Sequence, residues 1–454
     1  MLNLLNKINS LVWGTPTLLL IFFTGVVLSL RTGFFQIRFL KIAFKTFFTK
    51  PQSKNGKKMT PFQSASTALS ATMGTGNIVG VAGAIAIGGP GVVFWMWVSA
   101  VFCMIIKFSE ISLSVRYREQ TKDGEYSGGA MYYIKNALPK VFSPLSYIFC
   151  ACGVAASFGV GNLTQINTMS NSISSLAASV FHVSHHQNFL IKFLVGVFCA
   201  ICCFKILKND GSIGRFCEKL FPIMTVLYVG MTVLAITINY NKIPTAFSQI
   251  FIGAFNPKSI TGGAVGSAFV ALRFGMSRGV FSNEAGLGTA PTAYACSYGD
   301  EVGLGLLGIV EVFIDTIVVC TLTALTLLCA GNITYGDEGA SSLTLNALTS
   351  VFGKNVVFVF CPVVCFFAFS SAIGWGLYGI KFSEFLFGNG AKGVFLTFFL
   401  LLQIPSAIFR ADAVWTIAEI FNGFMIIPNV TALLFLTNEI ADIVGIYKRK
   451  HRGS

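Results

Sequence analysis

Eleven apolar stretches run through this chain, at about 11–30, 62–88, 90–115, 145–175, 189–207, 216–238, 262–282, 303–330, 355–379, 393–409 and 413–436. Crossing a bilayer takes roughly 20 helical residues. In the hydrocarbon only helices and closed barrels satisfy their own backbone. The expected fold is therefore an all-α integral membrane protein of about eleven transmembrane helices. The composition agrees, with 54% hydrophobic residues and 11% charged, against about 25% charged in soluble domains. Forty-five phenylalanines ask for lipid as a partner. The first stretch exceeds a signal peptide's apolar core of about 7–15 residues and lacks a small-residue cleavage site after it. It reads as a retained helix.

The net charge of +14 is placed for a membrane, not for nucleic acid. Arg31, Arg38, Lys41, Lys45, Lys50, Lys54, Lys57 and Lys58 occupy one loop without an acid, and the tail 447–452 is basic too. Such short loops face the cytoplasm. The expectation is a multi-pass protein of the cell inner membrane, N-terminus outside and C-terminus inside, with no obligate protein partner. Most of the twelve cysteines lie in apolar runs and behave as small hydrophobes. "HVSHH" at 182–186 reads as a solvated loop, so no metal is assigned there. Trp13, Trp95 and Trp97 suit interfacial anchoring.

One stretch is interrupted in its middle: "SATMGTGNIVG" at 70–80. Glycine weakens a helix by roughly 1 kcal/mol relative to alanine. Small residues at i and i+4 would serve close helix packing, but Gly74-Thr75-Gly76-Asn77 puts small or polar groups on every face. A broken helix fits better. Its freed carbonyls can take a cation, and its freed N–H groups a carboxylate. With the first stretch set aside, ten remain, and the stretch near 262 ("GGAVGSAFVALRFG") is glycine-interrupted at the matching position of a second half. The organisation expected is one domain: 1–61 as an extra helix and basic loop, 62–240 and 241–436 as two repeats, and 437–454 as a tail.

No HExxH or GxxxxGK[ST] occurs, so zinc-protease and P-loop chemistry lack their parts. An enzyme is not expected. "GLGLLG" at 303–308 opens an apolar span and is packing. A channel would need a continuous polar pore, and no ring of charges is visible. A carrier without an ATP site draws on an ion gradient.

At seven ordered motifs the chain resembles the alanine/glycine:cation symporters of the amino acid–polyamine–organocation superfamily. They are "ATMGTGNIVGVAGAI", "GGPGVVFWMW", "GGAMYYI", "GVGNLTQINT", "RGVFSNEAGLGTAP", "DTIVVCTLTAL" and "FFAFSSAIGW", spread over nearly the whole length. The resemblance implies a LeuT-like 5+5 inverted-repeat fold with one extra N-terminal helix. It implies a sodium-coupled, in some members proton-coupled, importer of small neutral amino acids. Sodium would be the coupling ion, with no cofactor. Thr72, Gly74, Thr75, Gly76 and Asn77 would meet the substrate, with Gln165 and Asn162 facing the same cavity and backbone around Gly263, Gly266 and Ser267 meeting the amino group. Sodium would lie between carbonyls of Ser70, Ala71 or Met73 and the hydroxyls of Ser370 and Ser371. Neutral oxygens suit a weakly held hard cation. Many members have Pro at Ala130, Ser-Thr at Ser370-Ser371 and Glu at Ile380. Those departures bear on sodium affinity and gating. The space around Gly74 and Gly76 favours alanine or glycine over leucine.

Arg278, Asn283 and Glu284 read as an inner-gate network. Glu311 and Asp315, at i and i+4, read either as a proton relay or as partners of Arg273 or Arg278. Glu419 has Asn422 as a candidate partner.

Overall fold

The computed structural model describes residues 2–49, 59–120, 126–181, 184–256, 267–331, 333, 335, 342–388, 390–408 and 411–450. The helices used below are α1 Leu2–Val12, α2 Thr15–Thr32, α3 Pro61–Thr72, α4 Val79–Gly88, α5 Val92–Arg116, α6 Pro144–Phe158, α7 Thr164–Val180, α8 His185–Ile206 and α9 Asp210–Ile238. They continue as α10 Ala268–Asn283, α11 Pro291–Ala295, α12 Glu301–Val312, α13 Thr321–Ala330, α14 Val357–Phe387, α15 Ala391–Ser406, α16 Ala411–Phe435 and α17 Thr437–Lys450. Among the described residues, seven helices are long and apolar enough to cross a membrane, or nine with two bent pairs counted as single spans. Helices α15 and α10, of 16 residues each, are shorter. With them every expected stretch is matched by helix.

The starts follow from local chemistry. Thr60 and Gln63 close a capping box on α3, with Pro61 at its first position. Ser184 and Gln187 do the same for α8, and the Asp300 side chain accepts from the N–H groups of Val302 and Gly303 at the start of α12. Each such cap is worth about 1 kcal/mol.

Two breaks bear on the site. Between α3 and α4 the chain passes through Met73 and Gly74 into a 3-10 turn at Thr75–Asn77, and the halves bend by 57°. A second break follows α10. Gly263 and Gly266 lie outside the described residues, and Ser267 is an exposed cap at the start of α10. That helix runs on to Asn283, where Glu284 enters the left-handed region at φ 54°. Gly286 and Gly288, at φ 90° and 73°, carry the chain on to α11. Non-glycine residues seldom adopt this conformation, so it is the surroundings of Glu284 that hold it there. Two π-helical segments, Gly159–Leu163 and Phe313–Cys320, interrupt α6–α7 and α12–α13. Such bulges shift the register of the side chains that follow.

Close approaches fix α14 beside the first break. A Cβ on Gly374 would fall 2.5 Å from the Ala71 Cβ, and one on Gly161 would fall 2.1 Å from the Trp375 Cβ. Neither site has room for a larger residue. Trp13 is not an exposed anchor: it is buried, and its indole donates to the Glu419 carbonyl at 2.8 Å. The Trp95 indole donates to the Ala254 carbonyl and that of Trp97 to the Thr321 hydroxyl.

Candidate functional site

The two breaks open onto one small cavity, lined by Ala71, Thr72, Gly74, Thr75, Gly76, Val160, Gln165, Phe281, Glu284, Ser371, Trp375 and Asn422. Its volume of about 20 Å³ is of the order of one water. Three polar atoms on its lining residues are buried without a partner: Thr75 Oγ1, Gln165 Oε1 and Asn422 Oδ1. Native interiors leave few such atoms unpaired, so the cavity is built to be filled by something polar.

Immediately beside it, Ser371 Oγ donates to the Ala71 carbonyl at 2.8 Å and Ser370 Oγ to the Ser70 carbonyl at 3.3 Å. All four residues are buried. Ser370 also donates to the Phe367 carbonyl at 3.0 Å, the back-bonding common for helix serines. Met73 caps the end of α3 with its side chain fully buried.

The other expected residues are distributed differently. Asn77 turns away from the cavity, and its amide donates to Asp315 Oδ1 at 2.7 Å. Ser282 and Thr316 donate to the other Asp315 oxygen. Asn162 donates to the Phe399 carbonyl on α15 and does not line the cavity. Arg278, Asn283 and Glu284 do not form one network. Arg278 pairs with Glu419 at 2.7 Å, Asn283 donates to the Thr316 hydroxyl, and Glu284 accepts from Trp375 and Thr289. Glu419 also accepts from Asn9 at 2.7 Å, so Asn422 is not what holds it.

Glu311 and Asp315 pair with neither Arg273 nor Arg278. Glu311 meets Lys107 at 3.2 Å and accepts from the Tyr294 hydroxyl. Lys107 and Glu110, both fully buried on α5, went unremarked in the sequence. An ionisable residue inside an apolar span is itself the signal that would have found them. One oxygen of Glu110 accepts from the Gly286 and Gly288 N–H groups and from Asn429, tying α5 to the second break. Phe281, Trp375 and Asn422 were likewise missed as cavity residues. They are ordinary members of apolar helices, and only the close approach of α10, α14 and α16 singles them out.

The cavity is closed on both sides. On the side of the N-terminus, Phe281 separates it from a vestibule of about 330 Å³ lined by Asn9, Trp13, Arg278 and Glu419. A second vestibule of about 630 Å³ lies at the ends of α7, α8 and α14 on that same side, with Asn167, Asn171, Asn188 and Lys192 in its wall. The opposite side is tied shut. Lys381 bridges Asp210 at 3.0 Å and Glu384 at 3.4 Å, and Arg116 bridges Glu301 and Glu439. The Tyr298 N–H donates to the Met59 carbonyl, and the Gln63 amide to Glu218.

Two helices broken opposite each other around a buried polar cavity, with a hydroxyl pair on a third, define a secondary transporter of the broken-helix kind. The sodium:alanine symporter family profile matches residues 1–454, and the chain belongs to that family. It is similar to the sodium/alanine symporter AgcS of Methanococcus maripaludis, 39% identical over 447 residues that cover 96% of this chain and 95% of that one. It is also similar to the probable sodium/glutamine symporter GlnT of Bacillus subtilis, 30% identical over 98% of this chain and 90% of that one. Among solved structures, MhsT in complex with L-phenylalanine superposes with a TM-score of 0.59 at 15% identity, covering 86% of this chain and 99% of that one. The fold is LeuT-like.

Proposed function

We propose that this chain imports small neutral amino acids, alanine or glycine, in symport with sodium across the cell inner membrane. The carrying observation is the pairing of Ser370 and Ser371 hydroxyls with Ser70 and Ala71 carbonyls at the wall of the cavity. Four neutral oxygens there suit a dehydrated sodium ion that must also leave. The names of its relatives support the same reading.

The substrate carboxylate lies at the first break, against Gly74, Thr75 and Gly76, where the opening N–H groups of the 3-10 turn have no intrahelical partner. Gln165 supports it from α7. Thr72 lines the same wall, whereas the positions of Asn77, Asn162 and Ser267 give them no direct contact. The basic loop after α2 and the basic tail face the cytoplasm, so the vestibules open outside. Sodium draws α14 onto α3, substrate fills the cavity, and Phe281 with the Arg278–Glu419 pair closes above it. The Lys381–Asp210 and Arg116–Glu301 bridges then part to release the cargo inside.

A proton-coupled carrier is the second reading. Four buried carboxylates, Glu110, Glu284, Glu311 and Asp315, lie in the region of one buried lysine, Lys107. That many buried acids call for protons or cations to balance them.

The test is thermal unfolding of the detergent-purified protein. Alanine raises the midpoint in sodium and leaves it unchanged in choline. An equal shift in both salts overturns sodium coupling.

A further inference from the structure

Part of the cavity wall is made of acceptors. Glu284 projects there from the second break, Asn422 from α16 and Gln165 from α7. Asn422 is 1% exposed and Gln165 4%, and each has a carbonyl oxygen without a hydrogen-bond donor. Glu284 is held by two donors. Trp375 donates its indole N–H to Oε1 at 3.1 Å, and Thr289 its hydroxyl to Oε2 at 2.7 Å. A carboxylate offers about four acceptor directions, so two donors leave capacity on the cavity side. Lys107, the buried lysine of this region, makes its ion pair with Glu311 at 3.2 Å; its charge reaches Glu284 without direct contact. A carboxylate 4% exposed is costly without a partner of opposite charge. Its left-handed backbone at φ 54° is a further cost, of a kind that persists at functional positions.

We propose that Glu284, with Asn422 beside it, is the receptor for the substrate's ammonium group and selects amino acids over plain carboxylic acids. The assignment rests on the amino-acid reading above and deepens it. An ammonium carries three donors and no acceptor. Glu284, Asn422 Oδ1 and Gln165 Oε1 supply one acceptor group for each. This side chain comes from the break after α10, 17 residues beyond Ser267. A carboxylic acid without the amine brings no cation to Glu284 and leaves two amide oxygens unpaired, so the cavity rejects it.

The test uses the full-length protein in sodium, titrated with L-alanine and separately with propionate, the same skeleton lacking the amine. Ligand-induced shifts in thermal unfolding give both affinities. The wild type responds to alanine and not to propionate. Glu284→Gln weakens alanine roughly 100-fold, the usual scale for removing one member of a buried charge pair, and brings propionate to within about tenfold of alanine. Asn422→Ala weakens alanine roughly tenfold. Stabilisation by sodium alone is unchanged in both, which a merely damaged fold would not allow. A Glu284→Gln protein that keeps wild-type alanine affinity and still excludes propionate overturns the assignment while leaving amino-acid transport intact. A wild type indifferent to alanine overturns both. If Glu284→Gln does not fold, Glu284→Asp and Asn422→Ala decide, and unchanged alanine affinity in both overturns the assignment.

Discussion

Lys107 on α5 and Glu311 on α12 face each other at 3.2 Å, and neither side chain exposes any surface. The contact lacks hydrogen-bond alignment at the lysine, so charge is what holds it. Removing one member leaves the other buried and unpaired, at a cost of about 3–5 kcal/mol. Lys107→Met is therefore expected to lower the unfolding midpoint sharply. Lys107→Met combined with Glu311→Met restores most of the loss. Thermal unfolding of the three proteins measures it, and equal midpoints for wild type and Lys107→Met would refute the pairing's structural weight.

The two serines on α14 are not equivalent. Ser371 donates to Ala71 at 2.8 Å, whereas Ser370 divides its hydroxyl among the Ser70 and Phe367 carbonyls and the Met224 sulfur. Ser371→Ala should raise the sodium concentration for half-maximal alanine uptake by roughly tenfold, about one lost ligand. Ser370→Ala should have the smaller effect. Uptake measured against sodium concentration gives both values.

Gly74 is needed for its size rather than for its backbone angle. Its φ of −102° is open to any residue, but a Cβ there would lie 3.2 Å from Ser371 Oγ and 3.5 Å from Gln165 Nε2. Gly74→Ala therefore intrudes on the ion and the substrate together. Both half-saturation values should rise about tenfold or more, with little change in the unfolding midpoint. A substitution that lowered stability alone would mean the glycine serves packing.

Arg278 and Glu419 join α10 to α16 at 2.7 Å while remaining partly exposed. An ion pair of that exposure is worth about 1 kcal/mol or less. Glu419→Gln should speed amide exchange at the C-terminal end of α10 by up to roughly fivefold, since opening free energy sets exchange. The end of α14 near Lys381 should be unaffected. Hydrogen–deuterium exchange compares the two regions directly.

The first break was legible because Gly74, Thr75, Gly76 and Asn77 put no apolar face toward any neighbour. The break after α10 was not anticipated. Glycines drew attention to 262–266, which lie outside the described residues, whereas α10 ends at Asn283, and a glutamate, not a glycine, takes the first left-handed position after it. The alternating Gly286 and Gly288 in "NEAGLG" carried the turn signal, which the apolar pattern through "RGVF" obscured. Ser70, Ala71, Ser370 and Ser371 could be brought together from family resemblance. Their meeting depends on Gly374 lying against Ala71, a packing fact with no local signature. Partners remote in sequence, such as Lys107 with Glu311 and Arg278 with Glu419, depend on how the helices cross, and no spacing rule along one helix reaches them.

The most direct test of the central claim is radiolabelled alanine uptake by the purified protein in liposomes under an inward sodium gradient. Equimolar choline, with and without a pH gradient, is the control. The account predicts accumulation above the external concentration with sodium, abolished in choline and collapsed when the gradient is dissipated. Uptake that ignores sodium and follows the pH gradient alone would contradict it.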